Sequence, residues 1–289
     1  LCQRNNGELL LFYRRSGPRG GYYHGHMALR RSSDNGTTWS DIDVLLRVEG
    51  GTKLCNNAVV YNAAQDRVHI MPTVKSTSGW NSYYLEYDPE SCRLFSMDGA
   101  DLGTSTTEDT LVQAGGKILG GQLENMCAHG RNIYMVGKDS DKRRFFGMWD
   151  GDRFLHHVLP EGALNGAQLS PSTLDGEVFR TYGLRGNPDG GGQGLAMWQS
   201  NDGGRTWDPG RLLVGPAHIG HAIQTINVVM NYAGDGPILV ASEPTGPFPE
   251  GWIKTQETHY DNPGRRDRRL YAVEADGAIL RRTSPFKPK

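Results

Sequence analysis

Four stretches of this chain gather side chains that bind anions and move protons. The first holds Arg14, Arg15, Arg19, Tyr22, Tyr23, His24 and His26. The longest stretch without a strand pattern, about 243–268, holds Trp252, Lys254, His259, Tyr260, Asp261, Arg265 and Arg266. Between them lie Arg180, Tyr182 and Arg185, and then His218 and His221. A guanidinium forks a carboxylate with two parallel hydrogen bonds. Histidine exchanges a proton near neutral pH, and tyrosine adds a donor on an apolar ring. Asn56, Asn57, Asn125 and Asn227 add amides that either bind a polar ligand or satisfy backbone groups. His69, in Val68-His69-Ile70, reads as a satisfied strand residue.

Composition narrows the possibilities. Lys and Arg number 31 against 32 Asp and Glu, a net charge of −1, which argues against a nucleic-acid partner. No apolar run is long enough to enter a membrane as a spanning helix. The four cysteines, Cys2, Cys55, Cys92 and Cys127, form no CxxC pair, so a zinc site is not expected and their redox state stays open. No phosphate-binding loop, dinucleotide fingerprint or EF-hand is present, so no cofactor and no metal are expected. The chain begins at Leu1, which reads as a mature form or a fragment.

The elements that position these side chains are short. With 39 glycines and 15 prolines, the apolar residues fall in runs of four to seven, rich in β-branched and aromatic types, which is an all-β pattern. Two segments repeat one spacing: Ser32-Ser33-Asp34-Asn35-Gly36-Thr37-Thr38-Trp39 and Ser200-Asn201-Asp202-Gly203-Gly204-Arg205-Thr206-Trp207. Both read S-x-D-x-G-x-T-W, each between two apolar strands. An Asp that bonds downstream N–H groups and a Gly that takes positive φ make this a hairpin turn.

This spacing is that of the Asp-box, or BNR repeat, and the chain resembles the sialidase-like β-propeller superfamily. A finer likeness is carried by Tyr83-Tyr84-Leu85-Glu86-Tyr87, by Arg93 to Gly99 with Leu102-Gly103, and by Phe145 to Gly151 with His156-His157. These resemble a BNR-repeat subgroup that includes polysaccharide lyases acting on uronate-containing glycans. The resemblance implies one propeller domain over 1–289, lacking N-terminal sequence, built from four-stranded antiparallel blades. Five blades are visible, at about 1–48, 53–100, 120–160, 162–215 and 222–284, where six or seven are expected. The first lacks most of its inner strand, and 101–120 is a candidate for part of another blade. Asp150-Gly151 and Asp276-Gly277 read as degenerate boxes.

Lettering the strands A to D outward, the Asp-boxes are C–D turns, so function is expected at the other end, in the B–C and D–A loops. That filter selects His24 or His26 as a base and Tyr260 or Tyr182 as an acid. Arg14, Arg185 and Arg266 would bind a carboxylate, with Asn56, Asn57, Asn125, His221 and His259 as further contacts. Two activities fit: a lyase that eliminates next to a uronate, and a sialidase. Asp261-Asn262-Pro263 with Arg265 and Arg266 resembles a sialidase pattern, but the early Arg-Ile-Pro signature is absent. A non-catalytic glycan-binding propeller is the third reading. The expected partner is an acidic oligo- or polysaccharide bound by a monomer, secreted or periplasmic.

Overall fold

The computed structural model describes residues 1–16, 25–48, 53–76, 79–186, 193–215, 221–228, 238–244, 269–273 and 279–282. The chain divides into two compact units, Leu1–Glu161 and Gly162–Lys289. Both are built from antiparallel sheets of sequence-adjacent strands, which the short apolar runs and dense turn residues dictate.

In the first unit, sheet 1 is β1 (Cys2–Gln3), β2 (Leu9–Ser16), β3 (Gly25–Ser32) and β4 (Asp43–Arg47), in that order. The inner strand is indeed only a stub. Sheet 2 begins with β5 (Lys53–Asn62) and β6 (Arg67–Ser76). Its third strand, expected to be continuous, is divided at Tyr84 into β7 (Gly79–Tyr83) and β8 (Leu85–Asp88). Both pieces keep one register on β6, but Tyr84 N–H turns away to donate to the Gly116 carbonyl. β9 (Arg93–Phe95) and β10 (Asp101–Gly103) continue outward from β8.

The segment after β10 forms no further four-stranded sheet. It supplies β11 (Thr106–Thr107), which lies parallel to β4, and α1 (Glu108–Gln113). Thr107 caps this helix by accepting from Thr110 N–H at 3.2 Å, and Leu111 is buried in the core. Six residues are too few for a helical period to show in sequence.

β12 (Lys117–His129) then serves two sheets. Its first residues pair with β7, and from Gly121 onward it becomes the inner strand of sheet 3. That sheet continues through β13 (Asn132–Asp139), β14 (Arg144–Trp149) and β15 (Phe154–Val158). Gly121 sits at the crossover with φ +148°, and a Cβ there would lie 2.2 Å from the Lys138 carbonyl oxygen.

The second unit has two sheets in the expected order. Sheet 4 is β16 (Ala167–Thr173), β17 (Phe179–Gly186), β18 (Gln193–Ser200) and β19 (Arg211–Val214). Sheet 5 is β20 (His221–Val228), β21 (Ile238–Pro244), β22 (Arg269–Val273) and β23 (Ile279–Arg282).

Period-two alternation decides which face is apolar. On sheet 2, Val68, Ile70 and Val74 share a face with Tyr83, Leu85 and Tyr87, and these pack with Leu10, Met27 and Leu29 of sheet 1. The opposite face carries His69, Thr73, Ser82, Tyr84 and Glu86 and is polar.

The two S-x-D-x-G-x-T-W turns fold alike. Asp34 Oδ1 accepts from Thr38 N–H at 2.8 Å and from the Ser32 hydroxyl at 2.8 Å, while Oδ2 accepts from the Thr38 hydroxyl at 2.6 Å. Asp202 receives the same bonds from Thr206 and Ser200 at 2.6–2.9 Å. Trp39 and Trp207 donate their indole N–H to the Gly36 and Gly204 carbonyls. Hydrogen bonds from the threonine hold both carboxyls down at about 2. Ser96-Met97-Asp98-Gly99-Ala100 repeats the start of this network, with Ser96 Oγ donating to Asp98 and accepting from Ala100 N–H at 3.0 Å. Asp150 accepts from the N–H groups of Asp152 and Arg153, a partial version. Asp276-Gly277 lies outside the described residues.

A carboxylate network ties sheet 1 to sheet 2. Glu8 accepts from Arg4 Nη1 at 2.7 Å and from Arg31 Nε at 2.7 Å, and Arg4 forks Asp66 at 2.6 and 3.2 Å. The Arg4 side chain is 9% exposed, Glu8 16% and Arg31 21%. Removing the shared carboxylate by Glu8→Ala leaves two poorly solvated guanidinium groups. The expected loss is about 2 kcal/mol, below the ~3–5 kcal/mol of a fully buried pair because each end keeps some water. Burial alone would raise Glu8, but the bonds from Arg31 and Arg4 outweigh it and set it below its ordinary 4.5. The Arg4 bond likewise lowers Asp66. Both folded-state values are depressed, so this stabilisation is present above pH 4.5 and is lost as acid titrates through the lowered values. Urea melts from pH 7 to pH 3 should show the Glu8→Ala difference shrinking with acid.

Candidate functional site

Sheet 1 reaches sheet 2 through Arg14, near the end of β2. On sheet 1, Arg14 opposes Met27 and Arg15 opposes His26. Opposed residues share a face, so Arg14 and His26 project from opposite faces of the sheet. Arg14 faces sheet 2, where its Nη1 donates to the Leu54 carbonyl at 3.0 Å. Gly25 makes room for it: a Cβ there would lie 2.6 Å from Arg14 Cγ. The His26 ring is half-buried, and its Nδ1 has no hydrogen-bond partner among the described residues.

Leu54 opposes Val74, and both lie on the face of sheet 2 that packs against sheet 1. On the opposite face of sheet 2, at the end of the β6–β7 pair, Lys75 opposes Trp80, and its ammonium lies 5.2 Å from the indole centroid. Trp80 is half-buried and Lys75 exposed. These two were missed in the sequence. The signal was available as a lysine and a tryptophan flanking Ser76-Thr77-Ser78-Gly79, a hairpin turn on the expected end of the sheet. Cation–π contact orders the lysine over one ring face.

On the inner strands, Asn56 opposes Thr73 and Asn57 opposes Pro72. Asn125 is half-buried and turns its Oδ1 back to accept from Met126 N–H at 2.9 Å, which is a backbone-satisfying role. Beside it Glu124 pairs with Arg144 at 2.5 Å, with both side chains about nine-tenths buried. The described residues at this end of the unit therefore include Arg14, the Lys75–Trp80 pair and the imidazole of His26, which project from different sheet faces.

The second unit places its candidates differently. Tyr182 is 2% exposed and packs in an apolar cluster with Leu184, Leu195, Met197, Leu213, Val214 and Val273. That is a core position, and its ring contributes packing. Arg185 lies on the other face of β17, and its Nη1 donates to the carbonyls of Pro209 and Gly210 at 3.2 and 3.1 Å. His221 heads β20 opposite Pro244. His24, Tyr260, His259 and Arg266 lie outside the described residues. Among the described residues no cluster of three or more His, Cys, Asp or Glu could hold a metal ion, and Cys2, Cys92 and Cys127 are free thiols.

No protein-family model matches the chain, and no curated protein matches it. Solved structures do. The ulvan lyase of polysaccharide lyase family PL25 aligns over 98% of this chain at TM-score 0.62 and 14% identity, and was also solved bound to -[GlcA(1-4)Rha3S]-. A protein of unknown function from Dyadobacter fermentans aligns over 96% at TM-score 0.58 and 12% identity, covering 79% of that chain. The NanB sialidase of Streptococcus pneumoniae aligns over 99% at TM-score 0.51 and 11% identity, covering 60% of that chain. The present chain spans 65% of the ulvan lyase chain. Its all-β fold of antiparallel sheets is the one seen in these lyase and sialidase structures, as the repeated turns implied.

Proposed function

We propose that this chain is a carbohydrate-active β-propeller that cleaves an acidic polysaccharide by β-elimination next to a uronate carboxylate. The observation that carries this reading is the all-β fold shared with the ulvan lyase, and the hairpin end of the first unit supplies suitable residue types: Arg14, the Lys75–Trp80 pair, and His26, whose Nδ1 has no partner among the described residues.

The chemistry follows from the residue types. A cation beside the uronate neutralises the carboxylate and stabilises the charge that develops when C5 loses its proton. His24 or His26 takes that proton as base. The electron pair forms the C4–C5 double bond, the C4–O4 bond breaks, and a tyrosine or histidine donates a proton to the departing O4. The indole of Trp80 offers an apolar surface to a sugar ring. A polymeric substrate of this kind supports a secreted or periplasmic location as part of this proposal.

A hydrolytic reading of the sialidase type rests on Asp261-Asn262-Pro263 with Arg265 and Arg266. Incubation with glucuronate- and iduronate-containing polysaccharides, beside a fluorogenic sialoside, separates the readings. The expected result is ultraviolet absorbance from an unsaturated uronate and no release from the sialoside. Sialoside cleavage would replace the lyase with a hydrolase, and glycan binding without either signal would make the protein a binding module.

A further inference from the structure

The opposite, turn-side end of the first unit carries a groove. It has a volume of about 540 Å³ and opens between sheets 2 and 3, within the ~300–1,000 Å³ typical of small-molecule sites. Period-two alternation builds its floor, because the polar face of sheet 2 turns His69, Tyr84 and Glu86 toward Trp149 of sheet 3. Tyr84 hydroxyl lies 2.6 Å from His69 Nδ1 and 3.4 Å from Glu86 Oε2, and the Tyr84 and Trp149 rings are 5.4 Å apart between centroids. Arg67 braces Glu86 and Asp88 at 3.2 and 3.0 Å.

One buried polar group lining this groove is unanswered among the described residues. His69 is 2% exposed, yet its Nε2 has no hydrogen-bond partner. An orphan of that kind costs about 1–3 kcal/mol and calls for an explanation. At the lip, the Arg131 guanidinium and the Asp152 carboxylate are exposed and open to a ligand. Burial lowers His69 to about 4, so the ring is neutral at physiological pH.

We propose that this groove is a second saccharide site that takes a neutral pyranose through vicinal hydroxyls. Lining charges of both signs, Arg67 and Arg131 against Glu86, Asp98 and Asp152, disfavour a strongly charged ligand. A hydroxyl is both donor and acceptor, so it answers Nε2 in either tautomer, Arg131 and Asp152 alike. The half-buried Phe95 ring lines the same groove and offers an apolar surface to the C–H face of a sugar. Such a site would hold a neutral residue of a polysaccharide away from the hairpin end of the same unit.

The test is a titration of the full chain with methyl α-glucopyranoside and methyl α-rhamnopyranoside, read by the His69 ring ¹⁵N signals. A saturable shift with a Kd of about 1–10 mM is expected for at least one glycoside. Arg131→Ala or Asp152→Asn, both at exposed turn positions, should weaken it at least about fivefold while the other signals stay in place. No saturable shift, an unchanged Kd in both variants, or tighter binding of methyl glucuronide would overturn the proposal. The readout is binding alone, so failure of the lyase reading leaves it standing.

Discussion

Replacing His24 and His26 together by glutamine is expected to lower turnover of a uronate polysaccharide by about 10³-fold with little change in KM. The two residues were selected in the sequence because both fall in the B–C loop of the first sheet. Of the pair, His26 lies at the edge of the described residues, half-buried, and among them its Nδ1 has no partner. A positioned base contributes typically 10²–10⁴-fold, and glutamine keeps hydrogen bonding but cannot carry the proton. Binding rests on other groups, so substrate affinity should survive. Each single variant then tells which imidazole is the base: the one whose loss also abolishes the acid limb of the rate–pH profile. Full activity in the double variant would remove histidine from the mechanism.

Gly121→Val is expected to cost on the order of 4 kcal/mol, enough to unfold the first unit under mild denaturant. The position joins sheets 2 and 3, since β12 changes partners there. Two independent penalties act. The φ of +148° is a region that side-chain-bearing residues rarely adopt. The added Cβ would also meet backbone atoms, Lys138 O at 2.2 Å and Asp139 Cα at 2.8 Å, which cannot swing aside. Gly130→Asn is the control. Gly130 also has positive φ (+59°), but a Cβ there meets nothing within 4 Å. Asparagine tolerates that conformation, so the cost should stay below about 1 kcal/mol. Urea midpoints with unchanged slopes measure both. Equal losses in the two variants would show that the crossover contact is unimportant.

The strand order was legible because turn residues cut the chain into pieces of strand length. The fifth sheet shows this most clearly, with Ile238, Arg269 and Ile279 opening strands where the apolar runs begin. The box turns were legible because their Asp, Gly, Thr and Trp each have one geometric use, and all were found in it. What escaped was set by tertiary contact. The break at Tyr84 depends on the Gly116 carbonyl, far along the chain. The double role of β12 depends on a glycine that any strand pattern reads as a flaw. The Ser96–Ala100 turn lacks the Thr and Trp that mark a full box, so only its Ser-x-Asp-Gly start was visible.

The candidate site was less legible than the fold. Position along a strand predicted which end a residue occupies, but not which face, so Arg14 and His26 came out on opposite faces of one sheet. Tyr182 sat at a plausible place in a sequence of polar neighbours, and only packing reveals it as core. His69 looked like a satisfied strand residue. Among the described residues one of its nitrogens is satisfied and the other is not, a distinction that no sequence pattern carries.

Elimination and hydrolysis differ in where the oxygen of the new chain end comes from. Digesting a uronate polysaccharide in heavy-oxygen water and weighing the products tests the proposed reaction most directly. Elimination predicts a 4,5-unsaturated non-reducing end and a new reducing end that keeps the original glycosidic oxygen, allowing for slow anomeric exchange. Saturated products carrying solvent oxygen at the cleaved anomeric carbon from the first turnover would contradict it.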